Sequence, residues 1–254
     1  MYSRSPLILC YHAVSSSWDS ELAVTETQLE RQLSLLRRHG YVGLTFADSE
    51  RARLAGSLPK RTVVVTFDDG FASTLRARAV LDRAEFPGTV FVATDFVESG
   101  DPLSFIHDAE AAAPADELAP LTWSELTELR DRGWEIGSHT ATHPLLPKLE
   151  APELRSELER SRKAIEERLG RCETLAYPYG VADERVAAAA DEAGYLAACT
   201  LTGAHRIDER FRRSRVGIYR GDSGLRLRAK LSPIGRSLRR TGLAERADAR
   251  RGTR

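Results

Sequence analysis

The stretch Val63-Val64-Val65-Thr66-Phe67-Asp68-Asp69-Gly70 decides how the rest of the chain is read. A run of β-branched and aromatic residues ends in two adjacent carboxylates and a glycine. Apolar side chains in consecutive positions predict a strand buried on both faces, as in a parallel sheet. The Asp pair then falls at the strand's C-terminal end, where open α/β sheets and α/β barrels place their chemistry. Neighbouring carboxylates repel and are costly to bury unless a cation or a proton compensates them. Asp-Gly is also ordinary turn chemistry, so this stretch alone leaves a solvated turn open.

Working outward, strand and helix signals alternate. Residues 6–12 read as a first strand ending in His12. Thr25 and Gln28 form a capping box for a helix whose inner face carries Leu29, Leu33 and Leu36, and Gly40 ends it. Helices are predicted over 46–55 and 73–84, and a strand over 88–93. Residues 99–120, with Pro102, Pro114 and Pro120, read as a long loop or lid. A helix follows Thr122, and the strand 134–138 leads into His139. A long helix follows Pro152, with Leu154, Leu158, Ile165 and Leu169 on one side and Gly170 at its end. A strand over 175–180 that ends in a Pro/Gly turn, a helix over 183–193 and strands over 195–200 and 216–219 complete the pattern, with no internal repeat. Such β-α alternation predicts a mostly parallel sheet, open or closed into a barrel.

At 254 residues and 42% hydrophobic, the chain suits one α/β domain of barrel size or two small ones. The formal charge is zero, but 16 of the 37 Lys and Arg and only 5 of the 37 acids lie in residues 206–254. The preceding part is therefore acidic and the end basic, an asymmetry that hints at an anionic partner. Cys10, Cys172 and Cys199 are an odd number with no CxxC, so neither a disulfide framework nor a zinc ribbon follows. The apolar segment 7–10 is too short for a signal peptide, and nothing approaches a membrane span. The expected setting is reducing and cytoplasmic.

Ser138-His139-Thr140-Ala141-Thr142-His143-Pro144 supplies imidazoles at i and i+4. On a helical turn that spacing puts both on one face, able to grip one metal. Alone, His-x3-His is a weak motif that bystander histidines also produce. With an Asp pair on another strand end it becomes two imidazoles and a carboxylate with open positions, the make-up of a catalytic metal site. The other carboxylate is then free to act as a base.

Thr66-Phe67-Asp68-Asp69-Gly70, His139-Thr140-Ala141-Thr142-His143 and Tyr177-Pro178-Tyr179-Gly180, in that order, resemble the first three motifs of the polysaccharide deacetylases, the NodB-homology domain of carbohydrate esterase family four. Tyr11-His12-Ala13-Val14 resembles the branch with a leading strand ending in Tyr-His, and the likeness covers about residues 6–220. The resemblance implies a distorted (β/α) barrel, usually of seven parallel strands, here as a catalytic domain over residues 1–222 followed by a basic tail over 223–254. It implies Asp68 as general base, with Asp69, His139 and His143 binding a divalent metal, usually zinc. Metal-bound water would attack an N-acetyl or O-acetyl carbonyl. The third motif, Pro178 and a backbone N–H at Tyr179, would meet substrate and oxyanion, a contribution on the order of 3 kcal/mol.

Three departures stand out. The third motif often begins with an Arg that orients the base, and here Ala176 occupies that position. The late Asp-containing motif and the Leu-x-His motif that supplies a general acid are not recognisable. His12 is the replacement acid this reading offers, with a strand-end imidazole bonded to a carboxylate as its plain alternative. His205 lies in the right region but the wrong context, and His39 and His107 read as surface residues. Phe71, Trp123, Trp134, Tyr177 and Tyr179 include possible sugar-stacking rings, although burial is the commoner fate of such residues.

Residues 224–254 carry 10 Lys and Arg against 2 acids. They read as a basic amphipathic helix on an anionic membrane, at the inner face, or as a solvated tail. Nucleic-acid binding fits poorly with the acidic body. The expected substrate is an acetylated amino sugar, polysaccharide or glycolipid precursor. The alternatives are a carbon–nitrogen hydrolase of small amides on the same fold and a degenerate, non-catalytic carbohydrate-binding homologue. Oligomeric state is not legible.

Overall fold

The Val-rich run forms a strand buried at all six of its residues, Thr62–Phe67, in the interior of a parallel sheet. The computed structural model describes residues 5–106, 113–201 and 209–222. The basic tail over 223–254, together with His107 and His205, lies outside them.

In chain order the elements begin with β1 (Leu7–Tyr11), the short β2 (Ala13–Val14) and β3 (Ala23–Val24), α1 (Glu26–Arg38), β4 (Val42–Gly43) and α2 (Phe46–Leu54). Then come β5 (Thr62–Phe67), a 3-10 turn Ala72–Ala77 continuing as α3 (Arg78–Ala84), β6 (Gly88–Val92) and α4 (Thr94–Ser99). A 3-10 turn Ala115–Leu118 precedes α5 (Trp123–Asp131), β7 (Glu135–Ser138), α6 (Ala151–Leu169) and β8 (Thr174–Ala176). The turn Pro178–Gly180, α7 (Glu184–Glu192), β9 (Ala197–Thr200), β10 (Arg213–Ser214) and β11 (Val216–Gly217) complete it. The capping box expected at Thr25 forms, and Thr122 makes a second one with Glu125, each satisfying free N–H groups at a helix start.

Eight parallel strand segments follow one another in the order β10-β9-β8-β7-β6-β5-β1-β11, with β4 added beside β5. The two end segments are consecutive in the chain, separated only by Arg215. One stretch therefore pairs with β9 through its first half and with β1 through its second. The result is a distorted (β/α) barrel, nearly closed, with seven staves. The last strand thus begins at 213, earlier than the 216–219 expected from its apolar residues, because its first half is Arg-Ser. The strand that ends in a Pro/Gly turn is as expected: it stops at Ala176 and Pro178–Gly180 make the turn. The helix expected over 73–84 begins as a 3-10 turn.

Alternation along the strands sorts core from site. In β1 and β5, Leu7, Leu9, Tyr11, Val63, Val65 and Phe67 face the helical layer. Ile8 and Val64 face inward with Phe46, Phe91, Ala176, Ala197 and Cys199. Continuing inward by twos gives Cys10 and His12 on one strand and Thr66 and Asp68 on the other. Register then sets the heights: Tyr11 pairs with Phe67, Val92 with Ser138, Ser138 with Leu175, and Thr200 with Ser214. The residues just past these pairs, His12, Asp68, His139, Ala176 and Arg215, emerge together at the C-terminal mouth. The three cysteines are free and buried. Among the described residues no helix is long and apolar enough to cross a membrane.

Candidate functional site

Asp69 should point away from Asp68, since successive residues of a strand face opposite sides. A left-handed turn prevents this: Asp69 has φ 68° and Gly70 φ 74°. Gly70 also has no room for a side chain, because a Cβ there would lie 2.9 Å from Val92 Cγ1. The turn swings Asp69 back toward the mouth, where Oδ1 lies 3.3 Å from Nε2 of both His139 and His143.

The histidines do not meet as residues on a helical face. Residues 139–143 form an irregular loop in which Thr140 has φ 70° and His143 φ 62°. Each such residue costs on the order of 1–3 kcal/mol and persists only where its surroundings enforce it. Here Glu157 of α6 accepts from the Ala141 N–H, the Thr142 N–H and the Thr142 hydroxyl, and the Thr140 hydroxyl accepts from the His143 N–H. Glu157, missed from the sequence, looked like any helix-surface acid.

The donor set fits a divalent metal. The carbonyl of Ala176 can only accept, so the 2.7 Å contact puts a proton on His139 Nδ1. A neutral ring would then aim the lone pair of Nε2 at a carboxylate oxygen 3.3 Å away. Two acceptors are stable at that distance only with a proton or a cation between them. Donors about 2.0–2.1 Å from a tetrahedral centre stand about 3.3–3.4 Å apart, which matches the Asp69–imidazole spacings. Three protein ligands leave a position open, as catalytic sites do. Burial opposes ionisation of Asp69, but the two imidazoles outweigh it and hold its carboxyl well below the usual range. Burial favours neutral His139, yet the two Asp carboxylates leave it raised. Burial lowers His143.

Asp68 does have an arginine. Arg215 spans both its oxygens, Nη1 to Oδ1 and Nη2 to Oδ2, at 2.6 Å each, and Nη1 also donates to the Thr66 hydroxyl. This corrects the expectation of a base without such a partner: the guanidinium comes from the last strand, at the break between β10 and β11. Burial pushes Asp68 up, but Arg215 and then His139 bring it below its ordinary value. The Cys10 thiol donates to Asp68 Oδ2 at 3.4 Å, and burial raises its pKa well above the usual thiol range. Cys10, His12 and Asp68 offer ligand-type atoms within 4.8 Å of one another, and His12 Nδ1 is buried with no hydrogen-bond partner among the described residues.

Tyr179 takes a left-handed conformation (φ 59°) after Pro178; the residue is 53% exposed, and its ring lies 4.8 Å from that of His143. Gly180 permits the turn, since a Cβ there would come within 2.2 Å of Leu201 Cβ. Of the other aromatics considered for sugar stacking, Phe71, Trp134 and Tyr177 are core residues. Trp123 donates to Glu98 and lies under Arg168. His39 is exposed, as expected.

At the mouth of the nearly closed (β/α) barrel, an Asp-His-His cluster that could hold a metal ion stands beside a separate, Arg-held carboxylate. Residues 55–198, more than half of the chain, match the family described as polysaccharide deacetylase. The chain belongs to that family, hydrolases acting on carbon–nitrogen bonds. It is 28% identical over 222 residues to YxkH of Bacillus subtilis (strain 168), which carries a polysaccharide deacetylase name, covering 85% of this chain and 72% of that one. It is 27% identical over 186 residues to the poly-beta-1,6-N-acetyl-D-glucosamine N-deacetylase of Staphylococcus aureus (strain MSSA476), covering 68% of this chain and 59% of that enzyme. The solved structure of the Streptococcus pyogenes deacetylase PplD in complex with acetate superposes with a TM-score of 0.76 over 89% of this chain and 98% of that one. At 23% identity that likeness bears on the fold alone.

Proposed function

We propose that this chain is a divalent-metal-dependent deacetylase that removes the N-acetyl group of an amino sugar in a polysaccharide or glycolipid precursor. One observation carries the reading: two successive carboxylates have separate partners, Asp69 facing two imidazoles and Asp68 held by Arg215. Asp69, His139 and His143 would hold the metal, zinc by ligand type. When bound, it would supply a Lewis acid for the acetyl carbonyl and lower the pKa of water.

The chain's own residues supply the rest. Asp68, kept ionised by Arg215, takes a proton from the attacking water. The fork of Arg215 fixes the carboxylate plane, so the base meets the water in one orientation. The Tyr179 N–H, presented by the turn after Pro178, donates to the carbonyl oxygen as it becomes negative. His12, just past the end of β1 and in line with its inward row, gives a proton to the departing amine. The amide C–N bond breaks, water's oxygen goes to acetate, and the sugar keeps a free amine.

An amino-sugar polymer as substrate is supported by the staphylococcal relative, which is named for acting on one. The degenerate, non-catalytic reading rested partly on Ala176, and Arg215 removes that ground. Acetate release from N-acetylated oligosaccharides, acetyl esters and cyclic amides tests the assignment. Turnover of cyclic amides alone would replace it with small-amide hydrolysis. For residues 224–254 we propose peripheral contact with anionic membrane, from composition. The full chain should co-sediment with vesicles containing phosphatidylserine and not with neutral ones, less so at high salt.

A further inference from the structure

The two histidines of the metal cluster are held by different means. His139 is oriented in the usual way: its Nδ1–H donates to the Ala176 carbonyl at 2.7 Å, which fixes both tautomer and ring plane. His143 has no counterpart. Its Nδ1 is buried with no hydrogen-bond partner among the described residues, and its backbone sits in the left-handed region. What touches the ring is aromatic. Phe105 stacks on it with centroids 3.8 Å apart and planes 13° from parallel, and Tyr179 stands edge-on at 4.8 Å.

Phe105 belongs to the segment read from sequence as a loop or lid. It is half-buried and meets Phe96 edge-to-face at 5.0 Å. Both pack against a small apolar cluster separate from the barrel core, formed by Ala13, Trp18, Ala23, Phe71 and Leu103. That cluster is tied down at several points. Leu103 N–H donates to Leu118, Ala72 N–H to Ala119, and Leu121 N–H to Gly70, beside Asp69. Glu117 accepts from Ser15, Ser17 and Arg76. Phe105 is thus a ring on a braced platform, not a loose side chain.

We propose that Phe105 is a positioning residue for the metal ligand His143. Stacking fixes the imidazole plane, so that Nε2 stays aimed at the point it shares with Asp69 and His139. It takes the place of the hydrogen-bond acceptor that a ligating histidine ordinarily uses. Metal affinity is thereby coupled to the packing of the flanking segments, 99–106 and 113–120. This inference rests on the metal reading above and goes beyond it.

The test is metal affinity rather than activity. Full-length apo-protein is titrated with Zn2+ against a chromophoric chelator and, separately, with Co2+ followed by its visible d–d bands. Phe105→Leu keeps apolar volume in the cluster but has no ring to stack, whereas Phe105→Trp and Phe105→Tyr keep one. Phe105→Leu should weaken Zn2+ binding about tenfold to a hundredfold, the usual cost of losing a support behind a metal ligand. The Co2+ bands should change in intensity, and Trp or Tyr should stay near wild type. Thermal unfolding of the apo-variant separates this from a folding defect: unchanged apo stability with weakened metal binding supports the proposal. A folded Phe105→Leu that binds Zn2+ as tightly as wild type, with the same Co2+ spectrum, overturns it while leaving the metal site intact. A wild-type chain that takes up no stoichiometric metal overturns the metal reading itself.

Discussion

Arg215 and Asp68 meet fork to fork, two 2.6 Å hydrogen bonds with both side chains almost wholly out of solvent. Arg215→Ala would leave an uncompensated carboxylate inside the barrel mouth, at a cost of about 3–5 kcal/mol. Arg215→Lys keeps the charge and loses the fork, so kcat should fall by about a hundredfold or more while metal content stays near stoichiometric. Urea unfolding, metal analysis and acetate release on the two variants check this together.

The adjacent carboxylates should separate cleanly under mutation. Asp68→Asn should keep its metal and lose turnover by about 10²–10⁴-fold, the usual worth of a positioned base. Asp69→Ala should lose both. Metal content measured beside kcat distinguishes them, and equal metal loss in the two variants would refute the division of roles.

Glu117 makes an acid-side prediction away from the metal cluster. Burial raises its pKa, but hydrogen bonds from Ser15 and Ser17 and the Arg76 cation leave it below the ordinary 4.5. A folded pKa below the unfolded one means stability present above pH 4.5 and lost as pH falls through the folded value. Glu117→Gln should lower Tm near neutrality, and its deficit should shrink toward acid. Melts over roughly pH 3 to pH 7 would show converging curves; parallel ones would contradict it.

Gly180→Ala tests the turn that presents Tyr179. At φ 68°, with Leu201 Cβ 2.2 Å and Leu201 N 2.6 Å from the new methyl, backbone must move. A strain cost of about 1–3 kcal/mol and a lower kcat are expected, with Zn2+ affinity retained because the three ligands lie on other loops.

Much of this was legible because chemistry sits in runs that local rules read well. Val63 to Gly70 announced both the buried strand and its carboxylates, and His139 with His143 announced the imidazole pair that meets Asp69. The loop geometry at His143 was not legible, because a helical spacing and two left-handed residues give the same letters. Arg215 was hidden for another reason. It lies 147 positions from Asp68, in a basic stretch where nothing local marks one arginine as buried. Only closure of the barrel, with one stretch pairing to both β9 and β1, brings it to the base. Phe105 was invisible in the same way, since a lone Phe in a Pro-rich stretch gives no sign of stacking on an imidazole 38 residues on.

Acetate release from a poly-N-acetylglucosamine oligomer is the direct measure of metal-dependent N-deacetylation by this chain. Wild type should release acetate and expose one free amine per acetate. Activity should vanish on chelation and return with added Zn2+ or another divalent transition ion. Acetate release that persists undiminished in fully metal-free protein, or its absence from a fully metal-loaded chain across N-acetylated sugars, would contradict the account.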